Sequence, residues 1–139
     1  RTILVYGHPR GSRHNILTMV AQGLKEGKEL KIVDDQVRTP TYVEDLVSGI
    51  VTIIEKSKGG IYHLSGAEVT TPYQMACAVA DYLELDKTKI KKVTAESFNE
   101  PPRRPRTTGF NLTKAQTNLH YKPTPFNIGM KKTFDEEII

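Results

Sequence analysis

Tryptophan is absent from this chain and cysteine occurs once. The lone Cys77 excludes an intramolecular disulfide, so the default setting is a reducing one, and a cytoplasmic location is expected. No apolar run approaches the roughly 20 residues that span a bilayer, and no signal-peptide pattern opens the chain; a membrane partner is not expected. No Gly-x-x-Gly-x-x-Gly follows a strand, which excludes a pyrophosphate cradle at a helix N-terminus within these residues. His8, His14 and His120 are scattered with no second ligand at a useful spacing, so no metal site is expected. There is no internal repeat and no low-complexity tract.

What is present is an ordinary globular composition. The 139 residues are 37% hydrophobic and 26% charged, which suits one domain with a core and argues against disorder. The net charge of +4 is unevenly placed. Residues 87–106 carry seven basic side chains against two acidic ones, a net of +5. Clustered Lys and Arg can neutralise phosphates, but Phe98 is the one aromatic in that segment, so no stacking platform for bases accompanies the charge. The four lysines read as solvated surface, and no nucleic-acid partner is expected. Cys77 lies among Met75, Ala76, Ala78 and Val79 and reads as a small buried hydrophobe; no base lies nearby in sequence to make it a nucleophile.

Strands and helices alternate along the chain. Thr2–Tyr6 is β-branched and apolar and reads as a buried strand. A helix is expected from about Asn15 to Glu26, with Gly27 past its end. Leu30–Val33 reads as a strand. Val43, Leu46, Val47, Ile50, Val51 and Ile54 then follow helical spacing, with Thr41 and Glu44 as a capping box. Ile61–Leu64 is a further short strand. Thr71-Pro72-Tyr73-Gln74 supplies a second capping box with proline at the first helical position. Ile90–Thr94 is a strand, residues 100–106 are irregular because of three prolines, a short helix begins near Thr113, and Thr124-Pro125 opens a helix running through Ile138. This order indicates an α/β architecture with right-handed crossovers.

The densest run of ligand-binding groups is Asp34-Asp35-Gln36-Val37-Arg38-Thr39-Pro40-Thr41-Tyr42-Val43-Glu44-Asp45-Leu46, a loop between a strand and a helix. Such loops are where scaffolds present function, although an ordinary well-capped connection has the same pattern. The segment resembles the substrate-domain signature of dTDP-4-dehydrorhamnose reductase and related extended short-chain dehydrogenases. Arg1-Thr2-Ile3-Leu4-Val5-Tyr6-Gly7 resembles the strand after that family's catalytic helix. Gly60-Ile61-Tyr62-His63-Leu64-Ser65-Gly66 resembles its last sheet strand. Arg104-Pro105 and Asn111-Leu112-Thr113-Lys114 resemble its C-terminal elements. The resemblance covers the whole chain, with the four motifs in family order.

The resemblance implies a fold class: α/β, the C-terminal part of a Rossmann-type extended short-chain dehydrogenase with its small substrate-binding lobe. Residues 1–139 are then one fragment, holding the last strands of the Rossmann sheet (about 1–7 and 60–66) and the lobe. The family's Tyr-x-x-x-Lys proton-transfer pair is missing; Tyr121 and Lys122 are adjacent and cannot share a helix face. The chain also starts without Met, at Arg1. The cofactor-binding and catalytic half is therefore expected upstream. NADP(H) or NAD(H) is implied for the intact parent and neither is expected to bind these residues alone. A first strand without its sheet neighbours has a bare edge, so a homodimer or strand-exchanged oligomer is expected.

The resemblance also implies a nucleotide-sugar ligand and a set of site residues. Arg104 is expected on the diphosphate, because the guanidinium fork matches phosphate oxygens, with Arg103 and Arg106 as substitutes. Gln36 and Thr41 are expected near the sugar-nucleotide. Thr2 is expected toward the cofactor, and Leu4 toward the substrate. Leu4 is a departure, since relatives that reduce dTDP-4-dehydrorhamnose carry a Trp there. Arg38 is another, in place of a small residue, and either meets phosphate or pairs with Asp34 or Asp35. Asp45 is expected to be structural, at the positive end of its helix; His63 reads as a core or sheet-edge residue.

Three classes of function follow. One is an oxidoreductase acting on a dTDP-deoxysugar, with dTDP-rhamnose biosynthesis as its setting, or an epimerase of the same family. Another is a non-catalytic regulatory relative, since one family member regulates an S-adenosylmethionine synthetase. The third is a nucleic-acid module resting on residues 87–106 alone.

Overall fold

In the computed structural model the described residues are 1–9, 11, 14–98 and 104–135. They fall into two units, one holding Arg1–His8, Thr39–Val69 and Gly109–Ile139, the other Pro9–Arg38 and Thr70–Thr108.

The second unit is built on two well-capped helices. Helix α1 (Ile16–Lys25) begins where the Asn15 side chain accepts the N–H groups of Leu17 and Thr18 at 3.0 and 3.2 Å, while the Thr18 hydroxyl receives the Asn15 N–H. Helix α3 (Pro72–Tyr82) has the capping box expected from Thr71 and Gln74, with Pro72 in the first turn. The strands β2 (Leu30–Val33) and β4 (Ile90–Val93) pair in parallel, Leu30 opposite Ile90 and Val33 opposite Val93. α1 packs on α3, and α3 packs on both strands. The buried set Leu17, Val20, Leu24, Ile32, Met75, Val79 and Ile90 is the apolar periodicity of the sequence made solid. Cys77 lies half-buried on α3.

Asp34 ties the end of β2 to α3 and β4. Its carboxylate accepts from the Thr71 hydroxyl at 2.5 Å and meets the Lys92 ammonium at 2.6 Å. The same ammonium lies 5.0 Å from the Tyr73 ring centre. Asp35 accepts the backbone N–H of Ala95 at 2.9 Å.

In the first unit, β1 (Val5–Tyr6) pairs in parallel with β3 (Thr41–Tyr42). The expected strand from Thr2 is thus confined to two residues. Ile61–Leu64 is not a ladder strand: Arg1 donates from its N-terminus to Tyr62 O at 2.7 Å, and Arg1 O accepts the Leu64 N–H at 2.9 Å. Helix α2 spans Val43–Glu55. Its expected capping box is absent. Thr41 is a strand residue, fully buried, and its hydroxyl donates to Ile3 O at 2.6 Å instead of facing the helix. Tyr42 occupies the cap position and its side chain makes no capping hydrogen bond to the helix, while Glu44 and Asp45 supply the negative charge in the first turn. Helices α4 (Thr113–Leu119) and α5 (Phe126–Asp135) follow, and the expected end of α5 at Ile138 lies outside the described residues.

The core of this unit gathers Tyr62, Leu64, Leu112, Ala115, Leu119 and Tyr121, with Leu46, Ile53 and Phe110 against it. Asp45 reaches beyond its own helix, accepting both the N–H and the hydroxyl of Thr124 at 2.7 Å, and so fixes the approach to α5. The Tyr121 hydroxyl donates to Ser65 O at 3.2 Å, and burial with Asp45 nearby pushes its pKa up to about 12. His63 is half-buried and stacks on Phe110 with ring centres 4.3 Å apart. Gly66 has no room for a side chain, because a Cβ there would run into the Pro40 carbonyl.

Two predictions follow from these contacts. The Lys92 ammonium and the Thr71 hydroxyl hold the Asp34 carboxyl below the usual carboxylate range. A depressed pKa contributes stability that is present above the unfolded value and fades as pH falls through the folded one. Denaturant titrations between pH 7 and pH 3 should show less acid loss of stability for Asp34→Asn than for the parent chain. An identical slope in both would remove Asp34 from the ledger. His120 ends α4 in the left-handed region at φ 55°, exposed to solvent. His120→Gly should raise stability by about 0.5–1 kcal/mol, since glycine carries no Cβ penalty there; an unchanged or lower thermal midpoint would contradict this.

Candidate functional site

The residues expected to bind ligand divide between the two units. Arg104, Gln36 and Arg38 belong to the second, and Thr2, Leu4 and Thr41 to the first.

In the second unit the chain after β2 becomes a meeting place of three segments. Val37 bridges Thr107 in parallel and Arg38 bridges Thr70 in antiparallel fashion. Val37 donates to Arg106 O at 2.6 Å, and Val37 O accepts the Thr108 N–H at 3.0 Å. Arg38 and Thr70 exchange backbone bonds of 2.8 and 2.9 Å. The result places Gln36 and Arg38, two residues apart on an extended segment, on the same side of the chain.

Arg38 is only 9% exposed. Its Nη2 donates to Gln36 Oε1 at 2.5 Å, and its Nη1 donates to Val37 O at 2.8 Å and Arg106 O at 3.3 Å. Every one of these acceptors is neutral. Asp34 and Asp35, the expected alternatives, are committed to Lys92, Thr71 and Ala95. Among the described residues no carboxylate lies within ion-pair distance of Arg38. Burial pulls the Arg38 pKa below its ordinary value, and the like charge of Arg104 adds to the effect. Arg104 itself is exposed. A buried guanidinium with no carboxylate partner leaves positive charge that an anion would offset.

Gln36 is 7% exposed, and its carbonyl oxygen is taken by Arg38, so its amide orients the guanidinium. Arg106 is exposed and lies 3.6 Å from Glu96. Arg103 lies outside the described residues. Among the lysines of residues 87–106, Lys87, Lys91 and Lys92 face Asp81, Glu29 and Asp34 at 2.6, 4.0 and 2.6 Å.

In the first unit Thr41 is out of contact with solvent. Its hydroxyl accepts from the Thr2 hydroxyl at 3.3 Å and donates to Ile3 O, so it holds the Thr2–Leu4 backbone in place. Leu4 O accepts the Thr41 N–H at 3.0 Å. Leu4 itself has φ 42°, a left-handed conformation that costs an aliphatic residue free energy. That strain at a position implied to face substrate has no signature in the sequence. Thr2 is exposed. Among the described residues no group of three His, Cys, Asp or Glu could hold a metal ion, and no helix is long and apolar enough to cross a membrane.

The chain resembles several known proteins across most of its length. It is 30% identical over 139 residues to methionine adenosyltransferase 2 subunit beta of Pongo abelii, covering 96% of this chain and 41% of that protein. It is 36% identical over 104 residues to the spore coat polysaccharide biosynthesis protein SpsK of Bacillus subtilis, covering 74% of this chain and 35% of that one. Among solved structures, dTDP-4-dehydrorhamnose reductase of Bacillus anthracis in complex with NADP superposes with a TM-score of 0.86 at 26% identity, over 96% of this chain and 46% of that one. UDP-glucuronic acid 4-epimerase of Bacillus cereus, in complex with UDP-glucuronic acid and NAD, superposes with a TM-score of 0.78 at 26% identity, over 97% and 43%. The chain thus spans less than half the length of these relatives. Its fold is the mixed α/β arrangement of the substrate-binding part of Rossmann-type extended short-chain dehydrogenases, as the resemblance implied. With a family match running over residues 1–138, the chain belongs to the RmlD substrate binding domain family.

Proposed function

We propose that this chain is the nucleotide-sugar-binding half of an NADP(H)- or NAD(H)-dependent oxidoreductase acting on a dTDP-deoxysugar, the cofactor and the catalytic acid coming from residues outside these 139. The observation that supports it is the buried Arg38 guanidinium, held by neutral acceptors alone and bonded to Arg106 O, two residues from the exposed Arg104. A diphosphate is a ligand that Arg104 suits, because its fork can take two phosphate oxygens. In this reading Arg104 contacts the diphosphate, Gln36 serves through Arg38, and Thr41 shapes the backbone that presents Leu4 to substrate and Thr2 to cofactor. When bound, the nicotinamide would supply hydride chemistry that no side chain here provides.

A second reading is a regulatory subunit without reductase activity. It is favoured by Leu4, which offers an aliphatic side chain where sugar-reducing relatives present an indole, and by the methionine adenosyltransferase subunit beta relatives. Both readings keep the anion site; they part on hydride transfer by the longer protein.

Association with a second copy belongs to the same proposal. Val47, Ile50, Val51 and Ile54 form an i, i+3, i+4, i+7 stripe on α2 and are between 44% and 70% exposed. A stripe of that spacing is self-complementary about a two-fold axis. Light scattering should give a dimer mass that Ile50→Lys reduces to a monomer; a monomer at every concentration would exclude the dimer.

The diphosphate contact has its own test. Arg104→Ala should weaken dTDP binding by roughly 1.5–3 kcal/mol, the range for hydrogen bonds to charged groups. Arg104→Lys should recover part of it, because an ammonium lacks the fork. Lys91→Ala should change little, as expected of an exposed lysine 4.0 Å from Glu29. Isothermal titration of the three variants decides the matter, and equal affinity for Arg104→Ala and the parent would return Arg104 to the solvated surface.

A further inference from the structure

We infer that Arg38 is a positioning residue: its guanidinium joins Val37 O to Arg106 O, a clasp that reinforces the backbone bonds by which Val37 pins residues 106–108, and so fixes the place of Arg104. The inference rests on the reading of Arg104 as the diphosphate ligand. Its physical basis is the chain between the two arginines. Arg106 O receives both the Val37 N–H at 2.6 Å and Arg38 Nη1 at 3.3 Å. Thr107 bridges Val37, and Thr108 donates its N–H to Val37 O at 3.0 Å. Pro105 separates this pinned segment from Arg104. Proline fixes its own φ and restricts the residue before it to extended conformations. A stiff Arg104-Pro105 step transmits the anchoring at Arg106 to the Arg104 backbone. Without the clasp, Arg104 would sit on an exposed, irregular stretch and lose entropy on binding an anion.

The geometry assigns each contact a part in this. Gln36 Oε1 holds Nη2 and sets the plane of the guanidinium, leaving Nη1 on the two carbonyls. A lysine cannot reproduce this, since one ammonium cannot span three acceptors in the plane of a fork.

The test combines amide exchange and dTDP titration on Arg38→Gln, Arg38→Lys, Arg104→Ala and the double variant Arg38→Gln/Arg104→Ala. In the ligand-free chain, Arg38→Gln and Arg38→Lys should each speed exchange at Val37 and Thr108 by about tenfold, the effect of losing one to two net hydrogen bonds. Arg104→Ala should leave both amides unchanged. Arg38→Lys keeps the charge and the aliphatic stem, so it reports even if Arg38→Gln folds poorly. In the titration, Arg38→Gln should weaken dTDP binding, and the double variant should bind no worse than Arg104→Ala alone, because Arg38 acts through Arg104. Unchanged exchange at Val37 and Thr108 in Arg38→Lys would overturn the clasp. Additive losses of affinity would also overturn it, making Arg38 an independent ligand contact. If dTDP does not bind the parent chain, the diphosphate reading fails by itself, and the exchange data still decide whether Arg38 anchors the segment.

Discussion

A guanidinium withdrawn from water must find acceptors for its N–H groups, and the second unit is organised around how Arg38 does so. Its Nη atoms take Gln36 Oε1, Val37 O and Arg106 O, and its backbone pairs with Thr70. Three stretches distant in sequence thereby meet at one residue, the end of β2 and the strap that follows Pro105 through its side chain and the entrance to α3 through its backbone. Burial of charge is costly, and a carboxylate would have been the ordinary compensation. The neighbouring carboxylates serve elsewhere, Asp34 on Lys92 and Thr71 and Asp35 on the Ala95 N–H. The site is thus left with positive charge on Arg38, for which the proposed nucleotide diphosphate would be the counterpart.

The first unit solves a different problem, the presentation of a short strand. β1 is two residues long, and its lead, Arg1–Leu4, is held by single bonds rather than a ladder: Arg1 to Tyr62 and Leu64, Ile3 to the Thr41 hydroxyl, Leu4 to the Thr41 N–H. Thr41, with no exposure to water, is central to that arrangement. Asp45 joins α2 to the approach of α5 through Thr124. α2 itself has two apolar faces. Leu46 and Ile53 meet the core, while the stripe from Val47 to Ile54 stays exposed, which helical spacing alone could not divide.

Much of this was legible in the residues. Asn15, Thr71 with Pro72, and the apolar spacing of α1 and α3 announce local structure whose causes are themselves local: caps, proline geometry and a core-facing stripe. β2 and β4 were readable as short apolar segments. The Thr41–Glu44 pattern misled because the same hydroxyl that can cap a helix can bond a neighbouring strand, and β3 is too short to carry a pattern of its own. The left-handed Leu4 was illegible, since the strain comes from neighbours far along the chain. Arg104 is proposed as a ligand residue on the resemblance of its Arg-Pro setting. The burial of Arg38 could not be foreseen, because it depends on where residues 106–108 fold back, and the acidic pair beside it suggested an ion pair that the tertiary structure assigns to other partners.

The central claim is that a diphosphate belongs beside Arg38 and Arg104. Amide shift mapping with dTDP and with thymidine, which shares the base and sugar but lacks both phosphates, tests it most directly. The account predicts saturable shifts with dTDP centred on Val37, Arg38, Arg104 and Thr107, and none of comparable size with thymidine. Equal responses to the two ligands, or dTDP shifts that leave those residues untouched, would contradict it.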